Sequence, residues 1–369
     1  MAKRRKNHEG YIRYRDSRKH YEGRITVDGK PKYFTGATSQ EVQDKMLEFR
    51  NAIRSGIDIS KQSKLDEVFD KFCSVKSRVV SVKTLGAYKS QYATHIMPHI
   101  GSKKISDVTP TSLNNYVDML ISNNLTPSQI NRSIKLLKSV FSHAQRIQLI
   151  SNNPAQFIQG VKNSRKKMRA LDQGEIKAFV KSARKDKHFA LWFLLLNVGC
   201  RIGESLALTW DDLNFETDEL TISKTYDQDY GISDGTKNGE SRTVKLNGTL
   251  MKVLQKHHSE QLERQLKMSN YWENKNLIFT NDIGGYIHLG NLRRRNFNAI
   301  LKDAGISNFR IHDLRHSFAS HSLSNNIPVV EVSHYIGHKS PTVTLDVYSH
   351  YIPKEESKVS QIMENIINA

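Results

Sequence analysis

The sequence predicts a multidomain protein, mainly α-helical with small β-sheets, built from three consecutive parts. Three observations predict it. The opening segment is rich in Tyr, Ile and Val around a hairpin signal, the middle stretch keeps helical apolar spacing throughout, and the last part mixes helices with short strands. At 369 residues, two or three domains are expected, at roughly 100–200 residues each. The boundaries read as a three-stranded sheet plus helix over residues 1–58, a four-helix domain over 64–162 and a mixed α+β domain over 168–369.

In the first part, Lys3-Arg4-Arg5-Lys6 forms a basic arm. Tyr11-Ile12-Arg13-Tyr14, Tyr21 to Val27 and Tyr33-Phe34 read as strands, with Asp28-Gly29 as the turn between the last two. Thr38 with Glu41 three residues later is a capping box, opening a helix through Val42, Met46 and Phe49. Arg and Lys alternating with aromatics suit insertion of a sheet into a DNA groove. The aromatics can equally face the helix, since one strand face can do each.

Residues 57–64 read as a linker. In the middle part Leu65, Val68, Phe69 and Phe72 recur at helical spacing, as do Leu85, Tyr88 and Tyr92. Two further helices start at Thr109-Pro110 and Thr126-Pro127, each a cap followed by proline at the first helical position. Their apolar faces are Leu113, Tyr116, Val117 and Leu120, then Ile130, Ile134, Leu137 and Phe141. Asn153-Pro154 ends this part, and Arg165-Lys166-Lys167-Met168-Arg169 makes a basic joint. In the last part Asp172 caps a helix through Ile176 and Phe179, and Phe189 to Val198 reads as a buried helix. Short strands follow near Leu220–Ser223 and Thr243–Leu246.

Charge divides the chain in the same place. The whole carries 56 Lys+Arg against 37 Asp+Glu, a formal +19. Residues 1–60 hold 14 basic and 8 acidic side chains, residues 61–169 hold 18 and 5, and residues 170–369 hold 24 of each. The excess thus lies wholly in the first 169 residues. A polyanion-binding half joined to a neutral half with another task is the reading this favours. The 2 cysteines, Cys73 and Cys200, exclude a disulfide scaffold or a multi-cysteine zinc domain. No apolar run approaches a membrane span of about 18 residues, and a reducing cytosol is the expected compartment.

The neutral part carries the chemistry. No Gly-rich phosphate loop and no Gly-x-Ser-x-Gly elbow occur. The pairs His312/His316 and His334/His338 lack the Glu of a zinc hydrolase, so no metal or cofactor is expected. What remains is cationic: Arg201 after the buried helix, His312 and Arg315 three apart on one helical face, then His338 and Tyr348. Two guanidinium forks match phosphate oxygens and stay charged, which lets them replace a divalent metal in phosphoryl transfer. A Tyr oxygen can attack and store the bond energy as an ester.

With these residues assembled, the sequence resembles the tyrosine recombinases, or phage integrase family. Their signature of Arg, Lys, His-x-x-Arg, His/Trp and Tyr falls in order on Arg201, Lys237 within Thr236-Lys237-Asn238-Gly239, His312 with Arg315, His338 and Tyr348. Gly-x-Arg-Ile-Gly-Glu, His-Asp-Leu-Arg-His-Ser-Phe-Ala-Ser and Ile-Gly-His before Tyr-Ser-His match as well. The resemblance implies that Tyr348 attacks the scissile phosphate to give a 3′-phosphotyrosyl link, with Arg201 and Arg315 clamping the non-bridging oxygens. It implies His312 as base, His338 as supporting donor and Lys237 as acid for the leaving 5′ oxygen. Lys224 or Lys245 competes for that last role, because a long loop from Tyr226 to Gly235 precedes Lys237.

The resemblance further implies an arm-binding first domain, a core-binding second domain forming a C-shaped clamp with the catalytic third, and double-stranded DNA with core and arm sites as partner. A homotetramer passing through a Holliday junction is expected, with a host DNA-bending protein and an excision factor as possible helpers. A cytoplasmic, nucleoid-associated location in a bacterial host is implied too. The stripe Val359, Ile362, Met363, Ile366 and Ile367 is expected to form a C-terminal helix docking on a neighbouring protomer. Integration and excision of a mobile element is the function implied. A catalytically silent DNA-binding regulator and a type IB topoisomerase-like relaxing activity are the alternatives.

Overall fold

In the computed structural model, residues 10–27, 30–54, 63–163, 168–234, 241–353, 364 and 366–368 are described. They fall into two compact units, Met1–Arg165 and Lys166–Ala369. The arm at Lys3–Lys6, the Asp28-Gly29 turn, residues 57–62 of the linker, most of the basic joint, Lys237, Val359, Ile362 and Met363 lie outside the described residues.

The first unit opens with an antiparallel sheet of β1 (Tyr11–Arg15), β2 (His20–Val27) and β3 (Lys30–Gly36), followed by helix α1 (Ser39–Arg54). Thr38 caps α1 through its Oγ1, which accepts from the Glu41 N–H at 3.1 Å, while the Glu41 carboxylate accepts from Ala37 N–H at 2.8 Å. The two faces of the sheet divide the aromatics. Ile12, Tyr21 and Phe34 pack with Ile25 against Val42 and Met46, whereas Tyr11 and Tyr33 stay exposed on the other face beside Arg13 and Arg24. Gly23 is required where strand meets helix, because a Cβ there would lie 2.4 Å from the Met46 sulfur.

A separate core holds the second helical group: α2 (Leu65–Lys76), α3 (Val82–Gln91), α4 (Pro110–Ser122) and α5 (Pro127–Arg146). Thr109 and Thr126 both close capping boxes ahead of their prolines. All eight residues expected on the apolar faces of α4 and α5 are buried. The helix expected through Leu85, Tyr88 and Tyr92 changes winding partway: α3 ends at Gln91 and Tyr92–Gly101 continues as a π-helix containing Pro98. Proline has no N–H to donate, so the ladder lacks one bond at Pro98 in either winding.

The second unit begins with α6 (Gln173–Ala183), capped by Asp172, and α7 (Phe189–Val198), which is apolar around its circumference and central to the core. After the short α8 (Ile202–Ser205) come β4 (Leu213–Asn214), β5 (Glu219–Ile222), β6 (Lys224–Asp227), β7 (Gly231–Asp234) and β8 (Arg242–Lys245). Strands β4, β5 and β8 form one antiparallel sheet, each of the longer two one residue earlier than the sequence suggests. The stretch expected as a loop from Tyr226 to Gly235 is instead largely the hairpin β6–β7. Gly231 at φ +76° makes its turn, and Tyr226 stacks on Tyr286 with centroids 4.3 Å apart. The remaining helices are α9 (Gly248–Met268), α10 (Leu289–Asn291), α11 (Asn298–Asp303), α12 (Ile311–Ser324), α13 (Val329–Ile336) and α14 (Pro341–Tyr348), with a loop over residues 272–288 between α9 and α10. No helix among the described residues is long and apolar enough to cross a membrane.

Candidate active site

Arg201 is placed by the end of α7. Gly199 adopts φ +66°, and a Cβ there would sit 2.5 Å from the Phe318 ring, so only glycine lets the chain turn against α12. Arg201 then precedes α8 as its cap residue, with Glu204 returning to its backbone N–H at 3.0 Å and to its guanidinium Nη1 at 2.6 Å. Arg315 comes from the opposite direction on α12 and is buried. Its Nη1 donates to the Gly199 carbonyl at 2.9 Å and to the Ile336 carbonyl. The two arginines predicted from the sequence therefore meet where α7, α8, α12 and α13 converge.

One helix end organises them. The carbonyls of Tyr335, Ile336 and Gly337, at the C-terminus of α13, accept from Arg242 Nε (3.0 Å), Arg315 Nη1 and Arg201 Nη2 (3.1 Å) respectively. Helix-terminal carbonyls lack intrahelical partners and carry the negative end of the macrodipole, so they suit cations. Arg242, on β8, is a member that sequence reading missed. It is buried and bonds Glu204 Oε2 at 2.6 Å, so a single carboxylate bridges Arg201 and Arg242. Burial pushes the Glu204 carboxyl up, but the Arg242 charge and hydrogen bond outweigh this and hold it below its ordinary range. At Gly337 a Cβ would fall 2.5 Å from Arg242 Nη1, which requires glycine there.

The electrostatics are those of a site short of negative charge. Burial, followed by the charge of Arg201, lowers Arg315 to about 10, so it remains cationic near neutrality. An anion placed between the two guanidiniums would relieve that penalty. Burial, then Arg315 and Arg201, lowers His338 to about 4, and its Nδ1 is 2.8 Å from Thr344 Oγ1. His312 is exposed, yet the protein packed around it, followed by the Arg315 charge, lowers its pKa. His312 borders a cleft of about 810 Å³ shared with Arg293, Arg310 and the hairpin residues Tyr226 and Asp229.

Tyr348 ends α14 at 1% exposure, packed among Ala319, Leu323, Val332 and Ile336. Its ring lies 6.4 Å from that of His338 at an interplanar angle of 18°. Burial raises its phenol to about 12 although Arg315 pulls it down. Its hydroxyl bonds to His316 Nδ1, not to His312. The structure thus brings Arg201, His312, Arg315, His338 and Tyr348 together, while Lys237 falls outside the described residues. Of its rivals, Lys224 has Nζ 3.8 Å from Asp212 Oδ1, and Lys245 lies on β8. Glu204 and His316 stand inside the quoted motifs and had a signal in the sequence. Arg242, alone in a strand, had none.

Comparison with known proteins supplies the rest. The model of the phage integrase family matches residues 169–355, and that of its N-terminal SAM-like domain matches residues 64–121. A XerC-like tyrosine recombinase from Caldanaerobacter subterraneus is 25% identical over 95% of this chain and 97% of its own length. The ICEBs1 integrase of Bacillus subtilis is 22% identical over 83% of this chain and 89% of its own. Among solved structures, the Tn1549 transposon integrase in complex with a circular intermediate DNA gives a TM-score of 0.68 at 18% identity, covering 82% of this chain and 99% of that one. A lambda integrase tetramer bound to a Holliday junction gives 0.60 at 18% identity, covering 96% and 99%. At such identities the structural likeness speaks for the fold.

Proposed function

This chain belongs to the phage integrase family and is a site-specific tyrosine recombinase, and from that premise we propose that it integrates and excises a mobile element through a 3′-phosphotyrosyl intermediate. The observation that carries the proposal is the convergence of Arg201 and Arg315 beside Tyr348 and His338, in a cluster short of negative charge. A DNA phosphate supplies that charge. Its two non-bridging oxygens take the guanidinium forks, which stabilise the developing charge at the transition state by several kcal/mol in a dry site. The Tyr348 oxygen forms a bond to phosphorus as the bond from phosphorus to the 5′ oxygen breaks. The phenolic proton leaves to an imidazole, the role the resemblance assigns to His312, although at rest the hydroxyl bonds His316, and Lys237 gives a proton to the 5′ oxygen. His338 hydrogen-bonds a phosphate oxygen. Reversal with a different 5′-hydroxyl rejoins the strand, so neither ATP nor a metal enters the balance.

The same reading gives each part a task. Residues 1–58 take arm sites, residues 64–162 the core site, and residues 168–369 the chemistry. Four protomers would pair two DNA sites and exchange strands through a Holliday junction, with the C-terminal stripe reaching a neighbour. Host DNA-bending and excision factors would set direction, and the work would take place in the cytoplasm at the nucleoid. Ile366 and Ile367 are 64% and 75% exposed, which suits a stripe awaiting a partner.

The test is a suicide duplex carrying a nick beside the cleavage site. A covalent protein–DNA complex on a denaturing gel is expected with the intact chain and none with Tyr348→Phe. A complex that persists in the Phe variant would remove Tyr348 from its role. No complex with the true site would favour a silent regulator.

A further inference from the structure

The hydroxyl of Tyr348 is held by a side chain outside the recombinase signature. We infer that His316 is a positioning residue for the nucleophile: its Nδ1 accepts the Tyr348 hydroxyl hydrogen bond and fixes the phenol to the helix that carries Arg315. The inference rests on reading Tyr348 as the nucleophile.

Three features of the fold support it. First, His316 is 6% exposed, and among the described residues it is the hydrogen-bond partner of the Tyr348 hydroxyl. Second, α12 carries His312, Arg315 and His316 within one and a half turns, so the tyrosine oxygen is tied one residue beyond the arginine that would grip the phosphate. A helix is rigid over that span, so while the bond to His316 holds, the oxygen keeps a set distance from the clamp. Third, the ring has apolar contacts on Ala319, Leu323, Val332 and Ile336, which fix its plane but give its oxygen no direction. Among the described residues, direction comes from His316.

The histidine is itself fixed. Its ring meets that of His312 edge-on, with centroids 4.8 Å apart at 89°. Burial, followed by the neighbouring His312, lowers it to about 4, which keeps the imidazole neutral and one ring nitrogen free to accept. With Nδ1 accepting from the phenol, the ring proton belongs on Nε2. A group that holds the attacking oxygen near its line of approach contributes through orientation, where a shift of one ångström costs up to about a hundred-fold in rate.

Two substitutions separate acceptor from bulk. His316→Phe keeps a flat ring without an acceptor, and His316→Asn keeps an amide oxygen near the Nδ1 position. In single-turnover cleavage of the suicide duplex by the full chain at saturating protein, His316→Phe is expected to slow covalent-complex formation about ten- to a hundred-fold. DNA affinity, read by gel shift, should stay within about twofold, because a group that acts only on orientation at the reacting centre leaves ground-state binding in place. His316→Asn is expected to recover most of the rate. A Phe variant that cleaves like the parent overturns the inference. So does an Asn variant as slow as Phe with DNA binding retained, since restoring an acceptor at that position then does not restore the rate. Failure of the underlying reading looks different: Tyr348→Phe would still form the covalent complex.

Discussion

The two compact units handle positive charge in opposite ways. In Lys166–Ala369, Arg242 and Arg315 are buried and Arg201 half-buried, each bound to Glu204 or to carbonyls at the end of α13. In Met1–Arg165 most of the described cations are exposed. Along α5, Arg132, Lys135 and Arg146 are exposed, and among the described residues none of them has a carboxylate partner. The difference teaches a division of labour. Exposed, unpaired cations release counterions on meeting DNA and set affinity and its salt dependence. Buried, oriented cations cost stability and set rate.

Breaking the buried set should give the largest effect. Arg315→Ala is expected to reduce covalent-complex formation by about a thousand-fold or more while gel-shift affinity barely moves. A parallel loss of DNA binding would contradict the division. Glu204→Gln comes next, because it leaves Arg201 and Arg242 without their shared counter-charge. A loss of about 3–5 kcal/mol in stability is expected, read in urea melts, together with slower cleavage.

Lys237 can be tested by chemistry rather than by position. A duplex with sulfur in place of the scissile 5′ oxygen has a leaving group that needs no acid. Lys237→Ala should be slow on normal DNA and restored on the sulfur substrate, and restoration of Lys224→Ala or Lys245→Ala instead would move the assignment. The unit holding the arginines should also weaken in acid. His316 and His338 sit near 4 against an ordinary value of about 6.5. The unfolded chain therefore binds more protons between those limits, so stability falls as pH drops from about 6.5 toward 4. His338→Gln should flatten part of that slope relative to the parent.

The smallest effect on chemistry should come from the outward charges. Removing residues 1–60 is expected to weaken binding to distal sites and leave core-site cleavage intact. Lys135→Ala with Lys138→Ala should weaken binding uniformly across sequences and reduce the slope of log affinity against log salt by about 0.9 per lost phosphate contact. A sequence-selective loss would mean that these lysines read bases.

Local signals carried most of the fold. Thr109-Pro110 and Thr126-Pro127 name their own helix starts because a cap and a proline act within one turn. The fully apolar run of α7 declares its burial in the same way. The hairpin β6–β7 was not legible, since Asp227, Gln228, Asp229 and Tyr230 read as polar loop, and the stacking of Tyr226 on Tyr286 joins residues 60 apart in sequence. The candidate site divides likewise. Arg201, His312, Arg315, His338 and Tyr348 stand in compact motifs, whereas the partnership of Arg242 with Glu204 spans 38 positions and leaves no periodic trace. His316 was visible beside Arg315, but which histidine faces the tyrosine depends on how α12 and α14 pack.

The three carbonyls at the end of α13 have a consequence for how variation acts on this enzyme. Three guanidiniums meet at this helix end, and each also holds a second partner, Glu204 for Arg201 and Arg242 and the Gly199 carbonyl for Arg315, so they form one connected part. A tilt of that helix disturbs a bond of all three together. Substitutions along Val329–Ile336 therefore fall into two groups: those that keep the helix end in place and are silent, and those that move it and disarm the protein outright. Selection on reactivity thus reaches a helix that contacts none of the reacting atoms.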